Sequence, residues 1–491
     1  MKNYNKKISE FKPVIVSNRL PIQLSSDNGL WKIKPGTGGL VTALAPILKN
    51  NDGTWVGWPG APLNHELKQL LEKGGQDMGF GLEMVALSED DIKGYYQGFS
   101  NETIWPLFHD LLDHCNFQMN YWESYQSANY QFAKKVATCS SRGNLIWVHD
   151  YHLIMVGHFL KEMGIENSAF FLHIPFPPKD IYIKLPWRKE LLEAILSYKL
   201  IGFQTERDRR NFIQCVRHLL PEAQVSHHRK FPYIKYNKQI CRIGAFPISI
   251  DFRYLNELSK SNEVAESGWL FHEKFTNQKI IIGVDRLDYT KGIPHRLEAF
   301  ENCLERYPEL RGKITFVQLV VPSRTEVPEY QALKRRIDEM IGRINGRFTE
   351  HGWIPIHYIY GSVDHVELFG FYRSSEIALI TPLKDGMNLV AKEYCTACIE
   401  DIGVLILSEF AGAASQLGSG SILVNPYNIE EVADAIFTAY YMNVDEQKKK
   451  MNMMRRNIMK FNVFRWVDQF IGLMENTTEQ EETNRAETVS I

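Results

Sequence analysis

Long apolar runs are missing from this 491-residue chain. No stretch of 18 consecutive apolar residues occurs, so no segment suits a membrane-spanning helix. Net charge is nearly absent too. Lys and Arg number 56 against 58 Asp and Glu, a balance of −2, which leaves no overall field to hold nucleic acid or an anionic membrane. Cysteine is sparse and odd in number, seven in all and scattered, which fits a reduced cytoplasmic protein better than a disulfide framework. The start, MKNYNKKISEFKP, is basic but lacks the apolar core of a signal peptide. Neither GxxxxGK[ST] nor HExxH occurs, which argues against P-loop and zincin chemistry. No repeat of solenoid period is found, and only the polar tail after Met474 reads as disordered.

What is present is an ordinary globular composition, 44% hydrophobic and 23% charged, long enough for two or three domains. Short β-branched runs alternate with amphipathic stretches. PVIVSN, NLIWVHD, SAFFLHI, LIGFQT, KIIIGVD, KITFVQLVV, IALITP and GVLILS read as strands. Most are continuously apolar, as parallel strands covered on both faces must be. PHRLEAFENCLERYPEL and YQALKRRIDEMIGRI read as helices between them. The class is therefore α/β, with doubly wound parallel sheets. There are too many strands for one sheet. We divide the chain near FPISIDF into domains 1–247 and 248–460, with a helix at about 461–475 packing back on the first and a tail 476–491.

Ligands of such sheets bind beyond the carboxyl ends of the strands, and polar residues gather there repeatedly. SNRLP offers Arg19, VHDYH offers His149, Asp150 and His152, and FFLHIPFPP offers His173. VVPSRTEVPEY offers Arg324, while TPLKDGMNLVAKEY offers Asp385 and Glu393. VDRLDYTKGI ends a strand with Arg286 and Lys291, and GTGGL sets Gly38 and Gly39 at a helix start. An arginine fork and a lysine point charge can neutralise a diphosphate, and glycines let backbone N–H groups approach the same anion. A carboxylate such as Glu393 on a helix's first turns can accept from ribose hydroxyls. Together these groups describe a site for a nucleoside-diphosphate sugar. Taken singly, GTGG is a turn, and Arg286 and Lys291 are surface partners of Asp285 and Asp288. The pair Cys395 and Cys398 in CTAC has metal-ligand spacing but no matching second pair, and reads as helix filler. His227 and His228 fall in a basic hairpin, and MNMMRRNIMK reads as a packed helix.

VSNRLP, GTGGLVTAL, WVGWPG, YYQGFSNETIWPLFH, WVHDYHL, FFLHIPFP, GFQT, DRLDYTKGIPHRL, GRINGRF and DGMNLVAKEY, in that order, resemble the trehalose-6-phosphate synthase family over roughly residues 12–470. The resemblance implies two Rossmann-like domains facing a cleft, the GT-B type. It implies glucose transfer, with retention, from UDP-glucose or another nucleoside-diphosphate glucose to glucose 6-phosphate, without the fused phosphatase some relatives carry. The donor residues it implies are Gly38, Gly39, Arg286, Lys291, Val363, Asp385 and the stretch Leu389, Val390, Ala391, Lys392 and Glu393. The acceptor residues are Arg19, Tyr96, Asp150 and Arg324, with Trp58 and Trp105 as ring platforms, and His173 lies over the transferred glucose. The implied catalytic set is Asp150, His173, Arg286, Lys291 and Asp385. His365 stands where some bacterial members have arginine.

Retention ordinarily suggests a carboxylate nucleophile, yet Asp150 and Asp385 read better as hydroxyl binders. Relatives are thought to react by front-face attack, the leaving phosphate oxygen taking the acceptor's proton. No metal site and no cofactor is expected, the nucleotide sugar being a substrate. The expected partners are UDP-glucose, glucose 6-phosphate and further copies of the chain as a dimer or tetramer, not nucleic acid or membrane. Alternatives within the fold are a glucosylglycerol-phosphate synthase or a validoxylamine-type pseudo-glycosyltransferase. Outside catalysis, the alternative is a silent regulatory subunit.

Overall fold

Runs of Ile, Val and Leu that are apolar on both faces of a strand require cover on both faces. In the computed structural model, which describes residues 12–27, 30–36, 39–61, 65–141, 144–226, 232–275, 277–324 and 327–474, such runs form the centres of two sheets. The chain divides into one unit of Met1–Pro247 with Trp466–Ile491 and another of Ile248–Arg465.

The first unit holds β1 (Pro13–Arg19), β2 (Ile22–Asp27), β3 (Leu30–Pro35), β4 (Thr54–Trp58), β5 (Gly81–Met84) and β6 (Leu145–His149). It continues with β7 (Ser168–Phe171), β8 (Leu200–Phe203), β9 (Gln224–Val225), β10 (Tyr233–Tyr236) and β11 (Gln239–Ala245). Among the described residues its main sheet has the order β5-β4-β1-β6-β7-β8-β11-β10-β9, parallel from β5 to β11 and antiparallel at the β10 and β9 edge. β2 and β3 form a separate antiparallel hairpin.

The second unit holds β12 (Lys279–Arg286), β13 (Ile314–Val321), β14 (Ile356–Tyr360), β15 (Ile377–Ile380), β16 (Val404–Ser408) and β17 (Ile422–Val424). Its order, β14-β13-β12-β15-β16-β17, is parallel throughout. Both sheets are doubly wound and Rossmann-like. The strand order reverses between β1 and β6 in one and between β12 and β15 in the other. These reversals are where such folds bind ligands.

Every strand read from the sequence is present. The helices read at 294–310 and 330–344 are Ile293–Arg306 and Pro328–Phe348. Ile293, Leu297, Phe300 and Leu304 of the former are fully buried, one apolar stripe at helical spacing, and Pro308 follows its end. The methionine-rich segment is the helix Val444–Lys460, which buries Met451 and Met454. His227, His228 and the tail after Met474 lie outside the described residues. No helix of the described residues is long and apolar enough to cross a membrane.

Residues 463–474 are helical, and from Trp466 onward they belong to the first unit. Phe470 stacks on Trp147 of β6 with centroids 4.3 Å apart and planes 7° from parallel, and Trp466 lies 5.1 Å from the same indole. All three rings are buried. Trp466→Ala leaves a large cavity in this aromatic layer and should cost roughly 3–5 kcal/mol. Guanidinium denaturation followed by far-UV circular dichroism measures it; a loss below about 1 kcal/mol would show that the helix does not hold the unit together.

Candidate active site

At the first reversal, Arg19 ends β1 and Trp58 ends β4. The Arg19 guanidinium carbon sits 4.1 Å over the Trp58 ring and 5.9 Å from the ring of Tyr96. This seat requires Gly60, whose φ is +92°. A Cβ there would fall 1.6 Å from Arg19 Nη1. Tyr96 belongs to Ile92–Ile104, which winds as a π-helix, a rare form frequent at functional sites. The neighbouring Tyr95 hydroxyl donates to Asn18 Oδ1 at 2.8 Å, so the helix and the end of β1 are locked one residue away from Tyr96 and Arg19. The other face of this group is His152, stacked on Tyr96 at 5.8 Å. Trp58 and Trp105 are both nearly buried. Trp58 carries Arg19, whereas Trp105 packs on His109 at 4.3 Å and Tyr151 at 5.5 Å.

Asp150 follows β6 with φ at +74°, in the left-handed region that non-glycine residues rarely occupy. Its N–H donates to the Phe171 carbonyl at 2.8 Å, and its Oδ1 accepts from the His173 N–H at 3.1 Å. The side chain of His173 is held from both ends. Nε2 lies 3.1 Å from Nδ1 of the buried His149, and Nδ1 lies 3.4 Å from the Gln204 amide nitrogen. An amide nitrogen only donates, so His173 accepts at Nδ1, carries its proton on Nε2 and gives it to His149. Burial pushes the His173 pKa down to about 3, and burial with the neighbouring imidazole lowers that of His149 well below its usual range. Both rings are neutral. Gln204, in the motif GFQT, was not foreseen as a site residue, and its sequence signal is only that it follows a strand.

At the second reversal β12 and β15 end side by side. Arg286 is exposed at the last position of β12. Lys291 Nζ lies 2.5 Å from Asp385 Oδ2, and Asp385 also accepts from the Asn388 side-chain amide at 3.2 Å. Between them Gly292 adopts φ +66°, where a Cβ would meet the Thr381 carbonyl at 2.6 Å. Asp285 and Asp288 are not surface partners of Arg286 and Lys291. Both are buried, Asp285 facing Arg296 Nη1 at 2.5 Å and Asp288 facing Arg324 Nη1 at 3.7 Å. Arg296 is wholly buried and reaches four groups: Asp285, Gln318 Oε1 at 3.1 Å, Thr381 Oγ1 at 3.1 Å and the Lys291 carbonyl at 3.3 Å. One guanidinium thus ties β12, β13 and the end of β15 to the backbone of Lys291.

Asn388, at φ +73°, caps the helix Leu389–Ala397 by accepting from the Ala391 N–H at 3.2 Å. Leu389 and Val390 are half-buried on its first turn. Lys392 points away into the unit, its Nζ donating to the Ile248 carbonyl at 2.7 Å and to Gln416 Oε1 at 2.6 Å, so only its backbone remains for a ligand. Burial raises the Glu393 carboxyl to about 7, against a hydrogen bond from Tyr372 at 3.4 Å. Val363 is half-buried in the loop after β14, and His365 is exposed at the start of the helix His365–Arg373. Cys395 and Cys398 are buried free thiols, and among the described residues no group of three His, Cys, Asp or Glu is arranged to hold a metal ion. Gly39 begins the helix Gly39–Asn50, while Gly38 lies outside the described residues.

The profile of glycosyltransferase family 20 matches residues 11–476. The chain is 39% identical over 485 residues to the bifunctional trehalose-6-phosphate synthase/phosphatase of Thermoproteus tenax, a match covering 96% of this chain and 65% of that relative. Among solved structures, the alpha,alpha-trehalose-phosphate synthase (UDP-forming) from Burkholderia xenovorans in complex with glucose-6-phosphate is 34% identical with a TM-score of 0.85. That match covers 94% of this chain and all of the other. The E. coli trehalose-6-phosphate protein bound with UDP-2-fluoro glucose is 36% identical with a TM-score of 0.84, covering 94% and 98%.

The neutral histidine pair fixes a pH dependence. In the unfolded chain His149 and His173 take up protons near pH 6.5. In the fold they resist protonation down to about pH 3 for His173. Their contribution to stability is therefore complete above pH 6.5 and lost as pH falls below it. Proton NMR of the native protein should show the His173 ring shifts constant from pH 8 to 5. A titration centred near 6.5 would contradict the neutral pair.

Proposed function

The chain belongs to glycosyltransferase family 20, and from that premise we propose that it transfers glucose from UDP-glucose to glucose 6-phosphate with retention, giving trehalose 6-phosphate and UDP. It is a retaining glycosyltransferase of the GT-B type. What supports the reading most is the Lys291–Asp385 pair at the second reversal, with Arg286 exposed at the end of β12, the strand that leads into Lys291. A lysine at the carboxyl ends of two parallel strands suits a diphosphate, and the contact with Asp385 aims its ammonium. The donor residues are Gly38, Gly39, Arg286, Lys291, Val363, Asp385 and the first turns of the helix from Leu389 to Glu393. The acceptor residues are Arg19, Tyr96, Asp150 and Arg324, with Trp58 seating Arg19.

Neither carboxylate is set up as a nucleophile. Asp150 accepts the His173 N–H, and Asp385 is bound to Lys291 and Asn388. Catalysis is then positioning plus stabilisation of the departing diphosphate. The acceptor hydroxyl attacks the anomeric carbon on the leaving-group face, and its proton passes to the leaving phosphate oxygen. The neutral His173 presents a fixed ring to the glucose and takes no proton. Two protein cations do the work a divalent ion would do, so the reaction needs neither metal nor cofactor.

The test is an assay in EDTA with UDP-, GDP- and ADP-glucose as donors against glucose 6-phosphate, glycerol 3-phosphate and glucose. Trehalose 6-phosphate, identified by its two α-anomeric NMR signals, is the expected product. Turnover with glycerol 3-phosphate alone, or only after magnesium is restored, contradicts the reading. Arg324→Ala should raise the glucose 6-phosphate KM about 10- to 150-fold, the loss of one charged hydrogen bond, with donor affinity nearly unchanged. An unchanged acceptor KM removes Arg324 from the acceptor set.

A further inference from the structure

We infer that Asp288 is a positioning residue that sets the acceptor-side arginine and the donor-side lysine in one frame. The inference rests on the reading of Arg324 and Lys291 just given, and it concerns a residue that reading leaves without a role. Asp288 lies in DRLDYTKG between the two donor cations, and only 2% of its surface is exposed. Its two oxygens face different ways. Oδ1 accepts from the Thr290 N–H at 3.0 Å and from the Thr290 hydroxyl at 2.9 Å, while the Asp288 carbonyl accepts from the Lys291 N–H at 3.1 Å. Those bonds close the turn Tyr289–Lys291 and so place Lys291.

Oδ2 faces Arg324. The Tyr330 hydroxyl donates to it at 3.2 Å and in turn accepts from Arg324 Nη1, which itself stands 3.7 Å from the carboxylate. The hydroxyl is thus a relay between a buried anion and a cation whose backbone, at φ +50°, is already held in a left-handed turn. Burial works against a charge on Asp288, but Arg324 and Lys291 outweigh it, and the pKa lies below the usual carboxylate range. A carboxylate this deeply buried has no part in solubility. Here its two oxygens meet the supports of both cations, Thr290 in the turn that carries Lys291 and Tyr330 beside Arg324.

The prediction separates the two halves of the residue. Asp288→Asn keeps an oxygen for the turn and removes the charge that faces Arg324. The glucose 6-phosphate KM should rise about 10-fold or more, with UDP affinity within about twofold of wild type. Asp288→Ala also opens the turn, and kcat should fall as well. In an Arg324→Ala background Asp288→Asn should add almost nothing to the acceptor KM, because both changes break one linkage. Tyr330→Phe, which removes only the relay hydroxyl, should raise the acceptor KM about 2- to 10-fold at unchanged kcat and answers the question if the aspartate variants melt early. Wild-type enzyme that does not turn over this substrate pair overturns the functional reading and this inference with it. Wild-type turnover with an unchanged acceptor KM in Asp288→Asn and Tyr330→Phe, or additive effects with Arg324→Ala, overturns this inference alone.

Discussion

An ammonium group drawn into a sheet's carboxyl edge needs an anion, and in the second unit Lys291 has one in Asp385. Much of that unit's construction serves this contact. The two residues come from the ends of β12 and β15, adjacent in the sheet but 94 residues apart in sequence. The parallel pairing of these strands brings them level. Gly292 lets the chain turn tightly against the Thr381 carbonyl, and Asn388 caps the next helix while donating to Asp385. Beneath them Arg296, with no exposed surface to speak of, ties three strands to the Lys291 carbonyl. A buried guanidinium is costly unless nearly all its donors are used, and here its terminal and internal nitrogens meet a carboxylate, an amide oxygen, a hydroxyl and a carbonyl. The result is a fixed seat for the Lys291 ammonium, as the proposed stabilisation of a leaving diphosphate requires.

The first unit solves a different problem with aromatic rings. Arg19 is exposed, yet it is not free to wander, because Trp58 lies under it and Gly60 leaves it room. The π-helix Ile92–Ile104 sets Tyr96 against the same guanidinium through the Tyr95–Asn18 bond. Asp150 and His173 hold each other through a backbone bond, and His149 and Gln204 fix the imidazole's tautomer. The cation here is positioned by stacking and the histidines by a chain of neutral hydrogen bonds, as the proposed recognition of a sugar phosphate requires.

Strands of β-branched residues were legible because being apolar on both faces is itself a sequence pattern. The hairpin β2–β3 and the short strand β4, TWVGW, were not, since Trp, Gly and polar residues carry no such run. The π-helix was hidden for a similar reason: YYQGFSNETI has no 3.6-residue period, and its shape follows from what Tyr95, Phe99 and Ile104 bury. Candidate residues at strand ends could be named from position alone. Their partners could not. Sequence proximity pairs Arg286 and Lys291 with Asp285 and Asp288, whereas strand alternation turns Asp285 inward to Arg296, and a loop 36 residues on brings Arg324 to Asp288. Lys392 shows the same limit, because its neighbours in sequence line the helix start while its own ammonium is spent on a carbonyl across the unit.

In the proposed reaction Lys291 answers charge on the leaving diphosphate rather than merely holding a nucleotide. Free UDP carries that charge on its terminal phosphate, and UDP-glucose, with the phosphate esterified, carries less. Calorimetric binding of both to wild type and to Lys291→Ala measures the difference directly. The substitution should weaken UDP more than UDP-glucose, by about tenfold or more, the size of one charge-assisted hydrogen bond. Equal losses for the two ligands would contradict it.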